Sequence, residues 1–155
     1  MNTDHALDRL HDHQQGILDH LAAALDLMRR RPDDVRAALA KSRLELFRLL
    51  RAYQLFKHHE IFDPVLRRGT ATQIAAATRM KANCIAAGDA YRTYMNLWAS
   101  QDVVEAWSSF RPATLAMAQR TRAHILVERA GVPQLFAGTG NIRRTAAAVW
   151  GQAPA

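Results

Sequence analysis

Seven histidines and a single cysteine carry most of the metal-ligating and nucleophilic chemistry open to this chain. His124 and Glu128 stand four residues apart, a spacing that sets an imidazole and a carboxylate on one helix face, one turn above the other. Two such donors can grip one metal ion from one helix. The pair Asp12-His13 and the run Lys57-His58-His59-Glu60 supply further donors. Cys84 has no second cysteine with which to form a disulfide or a thiolate pair, so any metal site is expected to be built from nitrogen and oxygen. No Glu-x-x-His occurs, and neither does a His-Glu-x-x-His, a glycine-rich phosphate loop or a nucleophile beside a base. Catalysis is therefore not predicted.

Donors this far apart in sequence must be brought together by the elements that carry them. Apolar residues recur at helical spacing almost throughout, and nothing reads as a strand. A first helix, capped by Thr3 or Asp4, presents Leu7, Leu10, His13, Gln14, Ile17, His20, Leu21, Ala24 and Met28 inward and ends before Pro32. A second opens on Asp33 and Asp34 and continues its stripe through Tyr53, Phe56 and Glu60 to Pro64 and Gly69. The third starts at Thr70 or Thr72 and carries Lys81, Cys84, Tyr91 and Trp98 on one side. The fourth is expected from Asp102, with Glu105 as capping-box partner and a break or kink at Pro112, as far as Gly131-Val132-Pro133. Short turns between helices of about 25–30 residues imply an all-α, antiparallel up-down-up-down four-helix bundle. We divide the chain into a bundle over 1–136 and a C-terminal tail over 137–155, in which Ile142 to Trp150 forms a short helical patch.

The composition is that of a globular domain able to bury a core. No apolar run reaches the roughly 18 residues that span a bilayer, and the start carries no signal-peptide pattern, so a cytoplasmic location is expected. The balance of 21 Lys+Arg against 14 Asp+Glu attracts anions. Yet the arginines are dispersed as Arg29-Arg30-Arg31, Arg67-Arg68 and Arg143-Arg144, and two of these clusters fall at helix ends where they complement the dipole. A protein partner or self-association is expected ahead of nucleic acid, and no membrane.

Asp12-His13, the run Lys57-His58-His59-Glu60-Ile61-Phe62-Asp63-Pro64-Val65-Leu66, Trp107 with Phe110, and His124 to Glu128 followed by Pro133-Gln134-Leu135-Phe136 resemble the hemerythrin-like family. The resemblance covers roughly Asp4 to Phe136. It implies an antiparallel four-helix bundle, a non-haem di-iron centre held by His and carboxylate, and service as an oxygen carrier, as a sensor of oxygen, redox state or iron, or as a repair factor. His13 matches the first-helix ligand, and His124 with Glu128 matches the His-x-x-x-Glu of the fourth helix.

The second and third helices depart from the family pattern. A histidine is expected near Gln54 and a carboxylate near His58, and no histidine lies between His59 and His124. The candidate ligand set is therefore His13, His58 (or its neighbour His59), Glu60, His124 and Glu128. Three arrangements stay open: a di-iron centre, a mononuclear iron or zinc site at reduced stoichiometry, and a metal-free core of His, Lys and carboxylate. Lys81 is the lysine on an inward stripe, so its pairing with Glu128 or Glu60 is the expected substitute for a metal. The function expected is that of a sensor or regulatory protein with a degenerate metal site acting through protein contacts, the alternative being a functional iron- or oxygen-binding protein.

Overall fold

The computed structural model describes residues 2–150, with side chains through Ala137. Its elements are α1 (Thr3–Leu27), α2 (Pro32–Phe56), a π turn (Lys57–Phe62), α3 (Asp63–Arg68), α4 (Ala71–Trp98) and α5 (Trp107–Trp150). No strand occurs among the described residues.

Local chemistry sets the helix ends. Asn2, rather than Thr3 or Asp4, caps α1, its side chain accepting the His5 N–H at 3.3 Å. Asp4 is thereby left in the first turn, where a negative charge faces the positive end of the dipole. Pro32 opens α2, at a position where its missing N–H costs nothing. Thr70 and Gln73 make a reciprocal capping box at α4, with bonds of 3.2 and 2.9 Å. Asp102 instead caps a turn, accepting the N–H groups of Val104 and Glu105 at 2.9 and 3.3 Å. The fourth long helix therefore starts at Trp107, five residues later than the sequence suggests. It runs through Pro112 and Pro133, and the expected packing of Ile142 to Trp150 lies outside the described side chains.

α1 packs on α2 and α5, and α4 packs on the same two helices. Each long helix thus has two neighbours around one core, a pattern compatible with a bundle. Ile17, Phe62, Phe110, Ile125 and Val132 are completely buried. At one end Trp98 meets Phe110 edge-on at 5.2 Å, and Tyr94 shares a 2.8 Å hydrogen bond with Thr114. His20 ties α1 to α2 through the backbone oxygen and hydroxyl of Ser42, at 2.8 and 3.1 Å. No helix is long and apolar enough to cross a membrane among the described residues.

The π turn decides which residues of the second helix face the core. Asp63 donates its N–H to the His58 carbonyl, five residues back instead of four. Pro64 supplies a physical reason: in a regular α-helix its ring would collide with the carbonyl of Glu60, and widening the preceding turn relieves that contact. The inward pair Phe56 and Lys57 is therefore followed by Ile61 and Phe62, five residues on. Glu60, placed inward by a regular continuation of the stripe, is displaced from it and is only partly buried.

Candidate functional site

Among the described residues, four polar or charged side chains are buried with the core: Gln14, Lys57, Thr114 and Glu128. Burial of a charged group without a partner is strongly unfavourable, so their contacts determine what this layer can be. Glu128, on α5, is the hub. Lys57, the first residue of the π turn, donates to both carboxylate oxygens at 2.6 and 2.8 Å. Tyr53, one turn earlier, donates its hydroxyl to Oε1 at 3.0 Å and accepts from the Gln14 amide at 3.1 Å. Arg129 extends the chain, its Nε donating to Gln14 Oε1 at 3.4 Å. The Lys57 ammonium also lies 4.0 Å from the centre of the Tyr53 ring, where the ring's negative face attracts it.

His124 completes the layer from one turn below Glu128. Its Nε2 stands 2.9 Å from Oε1 of Glu128. The contact is off the ring N–H direction, so this buried nitrogen makes no directed hydrogen bond. The two groups form a charge contact across a helical turn. Burial alone would push the His124 imidazole down, but the neighbouring Cys84 and Glu128 outweigh it and raise its pKa to about 9. Burial alone would likewise push the Glu128 carboxyl up; His124 and Lys57 outweigh that and hold it below the usual carboxylate range. Burial and the adjacent carboxylate push the Tyr53 hydroxyl upward, so it stays protonated as a donor. One carboxylate thus faces two cationic groups.

The sulfur of Cys84, a carboxylate oxygen of Glu128 and a ring nitrogen of His124 lie within 4.8 Å of one another, an arrangement that could hold a metal ion. Of the five expected ligands this group contains His124 and Glu128. His13, His58 and Glu60 are not in it. The His13 ring packs 5.0 Å from Phe56 on a groove shared with Arg9 and Asp12, where burial and Arg9 lower its pKa. His58 lies against Phe62 with its Nε2 buried and unpartnered; burial and then Lys81 lower its pKa. His59 is exposed.

Two expectations are corrected. Lys81 does not reach Glu128 or Glu60; it pairs with Asp63 at 2.9 Å near the surface. Lys57 takes the role assigned to it, because it follows the buried Tyr53 by one regular turn on the same inward face. An all-nitrogen-and-oxygen donor set is also set aside, since the metal-capable group includes the thiol of Cys84. One cysteine cannot form a thiolate pair, but it can serve beside a histidine and a carboxylate from another helix.

The donors present do not fit a di-iron centre. Two ions and a bridge need about five to seven protein ligands, and here the fourth-helix carboxylate has both oxygens engaged by an ammonium. Comparisons with protein families, with curated proteins and with solved structures returned no match.

Proposed function

We propose that this protein is a hemerythrin-like antiparallel bundle in which an internal ion pair takes the place of the metal centre, and that it works as a regulatory or sensing protein through contacts with another protein. The observation that carries this reading is the Lys57 ammonium on both oxygens of Glu128, at 1% and 3% exposure. A cation on a stem from the protein itself supplies the positive charge that the carboxylate of such a bundle needs. In this resting state both oxygens of the carboxylate are taken by the ammonium, and we read the role as regulatory rather than catalytic. The sequence resemblance and the ring of helix contacts support the bundle; the network supports the loss of the centre.

The test is metal analysis and a visible spectrum of protein purified without a histidine tag. Less than one iron per chain and no oxo-bridged charge-transfer bands are expected. Two tightly held irons per chain would overturn the reading.

A further inference from the structure

We propose that Cys84, His124 and Glu128 form a site for one thiophilic divalent cation, zinc by chemistry, and that Lys57 is the gate it displaces. This deepens the reading above, on which it rests for the ion pair as resting state, by naming the chemical class of the signal. The donor set argues for the ion. A thiolate, an imidazole and a carboxylate are the ligands of a borderline-soft metal, and three protein donors with a water in the fourth position give tetrahedral coordination. Zinc binds sulfur at about 2.3 Å and nitrogen or oxygen at about 2.0–2.2 Å, so its ligand atoms stand about 3–4 Å apart. The three donor atoms here fall within 4.8 Å of one another, and His124 Nε2 and Glu128 Oε1 are 2.9 Å apart. Small side-chain rotations bring them to one centre.

Two independent features point the same way. His124 Nε2 is buried beside Glu128 Oε1 without a directed hydrogen bond, so the ring can turn this nitrogen to an ion once it gives up its proton. A cavity of about 60 Å³ opens directly beside the group, lined by Tyr53, Gln54, Lys57, Cys84, Gly88 and His124 among others. Seating one water takes roughly 10–15 Å³, so there is room for the ion's fourth ligand. The cavity also receives the displaced gate, since Lys57 lines it and can turn its ammonium toward the Gln54 amide and solvent. Gly88 keeps this wall open: a Cβ there would stand 3.3 Å from the Gln54 amide atoms. On binding, the Cys84 thiol proton and any proton on His124 Nε2 pass to solvent, and the two anionic ligands balance the charge of the ion.

The experiment is titration of the metal-free full-length chain with cobalt(II), followed by zinc competition. One cobalt per chain is expected, with a sulfur-to-metal charge-transfer band and tetrahedral d–d absorption. Cys84→Ser should abolish the charge-transfer band and weaken binding about 10–100-fold. Lys57→Met should strengthen binding at least 10-fold by freeing Glu128. Absence of the sulfur band in both the wild type and Lys57→Met overturns the proposal, as does undiminished affinity in Cys84→Ser, which would place the ion on surface histidines such as His11 and His59. Should Lys57→Met fold poorly, the comparison of wild type with Cys84→Ser decides alone. A metal-free protein as purified that also fails to take up cobalt through sulfur sinks this inference and leaves the ion-pair reading intact; two bound irons sink the latter.

Discussion

Lys57 and Glu128 lie 71 residues apart in sequence, yet the ammonium sits 2.6 and 2.8 Å from the two oxygens of the carboxylate with almost no solvent access. Oxygen Oε1 alone receives the Tyr53 hydroxyl, the ammonium and the edge of the His124 ring. Such pairs have an asymmetric energetic role. Forming one scarcely outweighs the desolvation of two charges, whereas breaking one strands a buried charge. The pair therefore specifies how α2 and α5 meet more than it strengthens the fold, and variants at either end should show this.

Glu128→Gln is expected to destabilise the protein by about 3–5 kcal/mol, because Lys57 and His124 lose the one carboxylate between them. Lys57→Met should also destabilise, but by less, because His124 and the Tyr53 hydroxyl still face Glu128. The double variant Lys57→Met with Glu128→Gln should recover much of that loss, and urea unfolding of all four proteins gives the coupling directly. Additive losses would mean that the two side chains do not act as a pair.

Lys81→Leu should change stability by less than about 1 kcal/mol. Its bond to Asp63 joins groups that are 31% and 32% exposed, in a setting where solvent screens the charges and side-chain entropy offsets the attraction. The lysine also holds the Asp63 carboxyl below its ordinary range, so the variant's small loss should be complete above that range and fade as pH falls through the depressed value. A loss as large as that of Lys57→Met would show that Lys81 reaches the core network.

The helices were legible because amphipathic periodicity is local: Leu10, Gln14, Ile17 and Leu21 read as one stripe, and they are buried together. His124 and Glu128 were legible for the same reason, since one helical turn fixes their separation. Lys57 and Cys84 were not. Their partners stand on other helices: Lys57 follows the inward Tyr53 by one regular turn, but a charged side chain is not assigned to a core without the carboxylate that neutralises it. The phase of the second helix changes only beyond Lys57, inside Lys57–Phe62, so a stripe extended at 3.6 residues per turn selects Glu60. A signal was present in the apolar doublet Ile61-Phe62 set five residues after Phe56-Lys57, with Pro64 just beyond. That combination favours a widened turn, because a proline ring in a regular α-helix crowds the carbonyl four residues back.

A one-residue deletion tests the turn. Removing His59 together with Pro64→Ala should convert the π turn to regular α-helix, so that the inward positions after Lys57 recur at four rather than five residues. Lys57 upstream and Val65 downstream then keep their faces. This variant should melt within a few degrees of wild type, while deletion of Ala52, within regular α2, rotates Tyr53 and Lys57 out of the core and should prevent folding. Equal damage from both deletions would show that the six residues carry more than a phase change.

Stability should depend on pH through both partners of the contact between His124 and Glu128. The imidazole is raised from its ordinary 6.5 to about 9 in the folded chain. Its contribution is therefore complete below about pH 6.5 and is lost as pH rises through about 9. The carboxyl is depressed from its ordinary 4.5, so its contribution is complete above about pH 4.5 and is lost as pH falls below that value. Both are in force between about pH 4.5 and 6.5. Thermal melts with a chelator present, from about pH 5 to pH 10, should show a plateau at the acid end and a decline across the alkaline limb. In Glu128→Gln the charge contact is gone and only Cys84 remains beside the ring, so the alkaline decline should flatten. Parallel curves for wild type and Glu128→Gln between pH 6.5 and 9 would mean that the imidazolium draws no stabilisation from this carboxylate, and the layer would then have to be rebuilt around Lys57 alone.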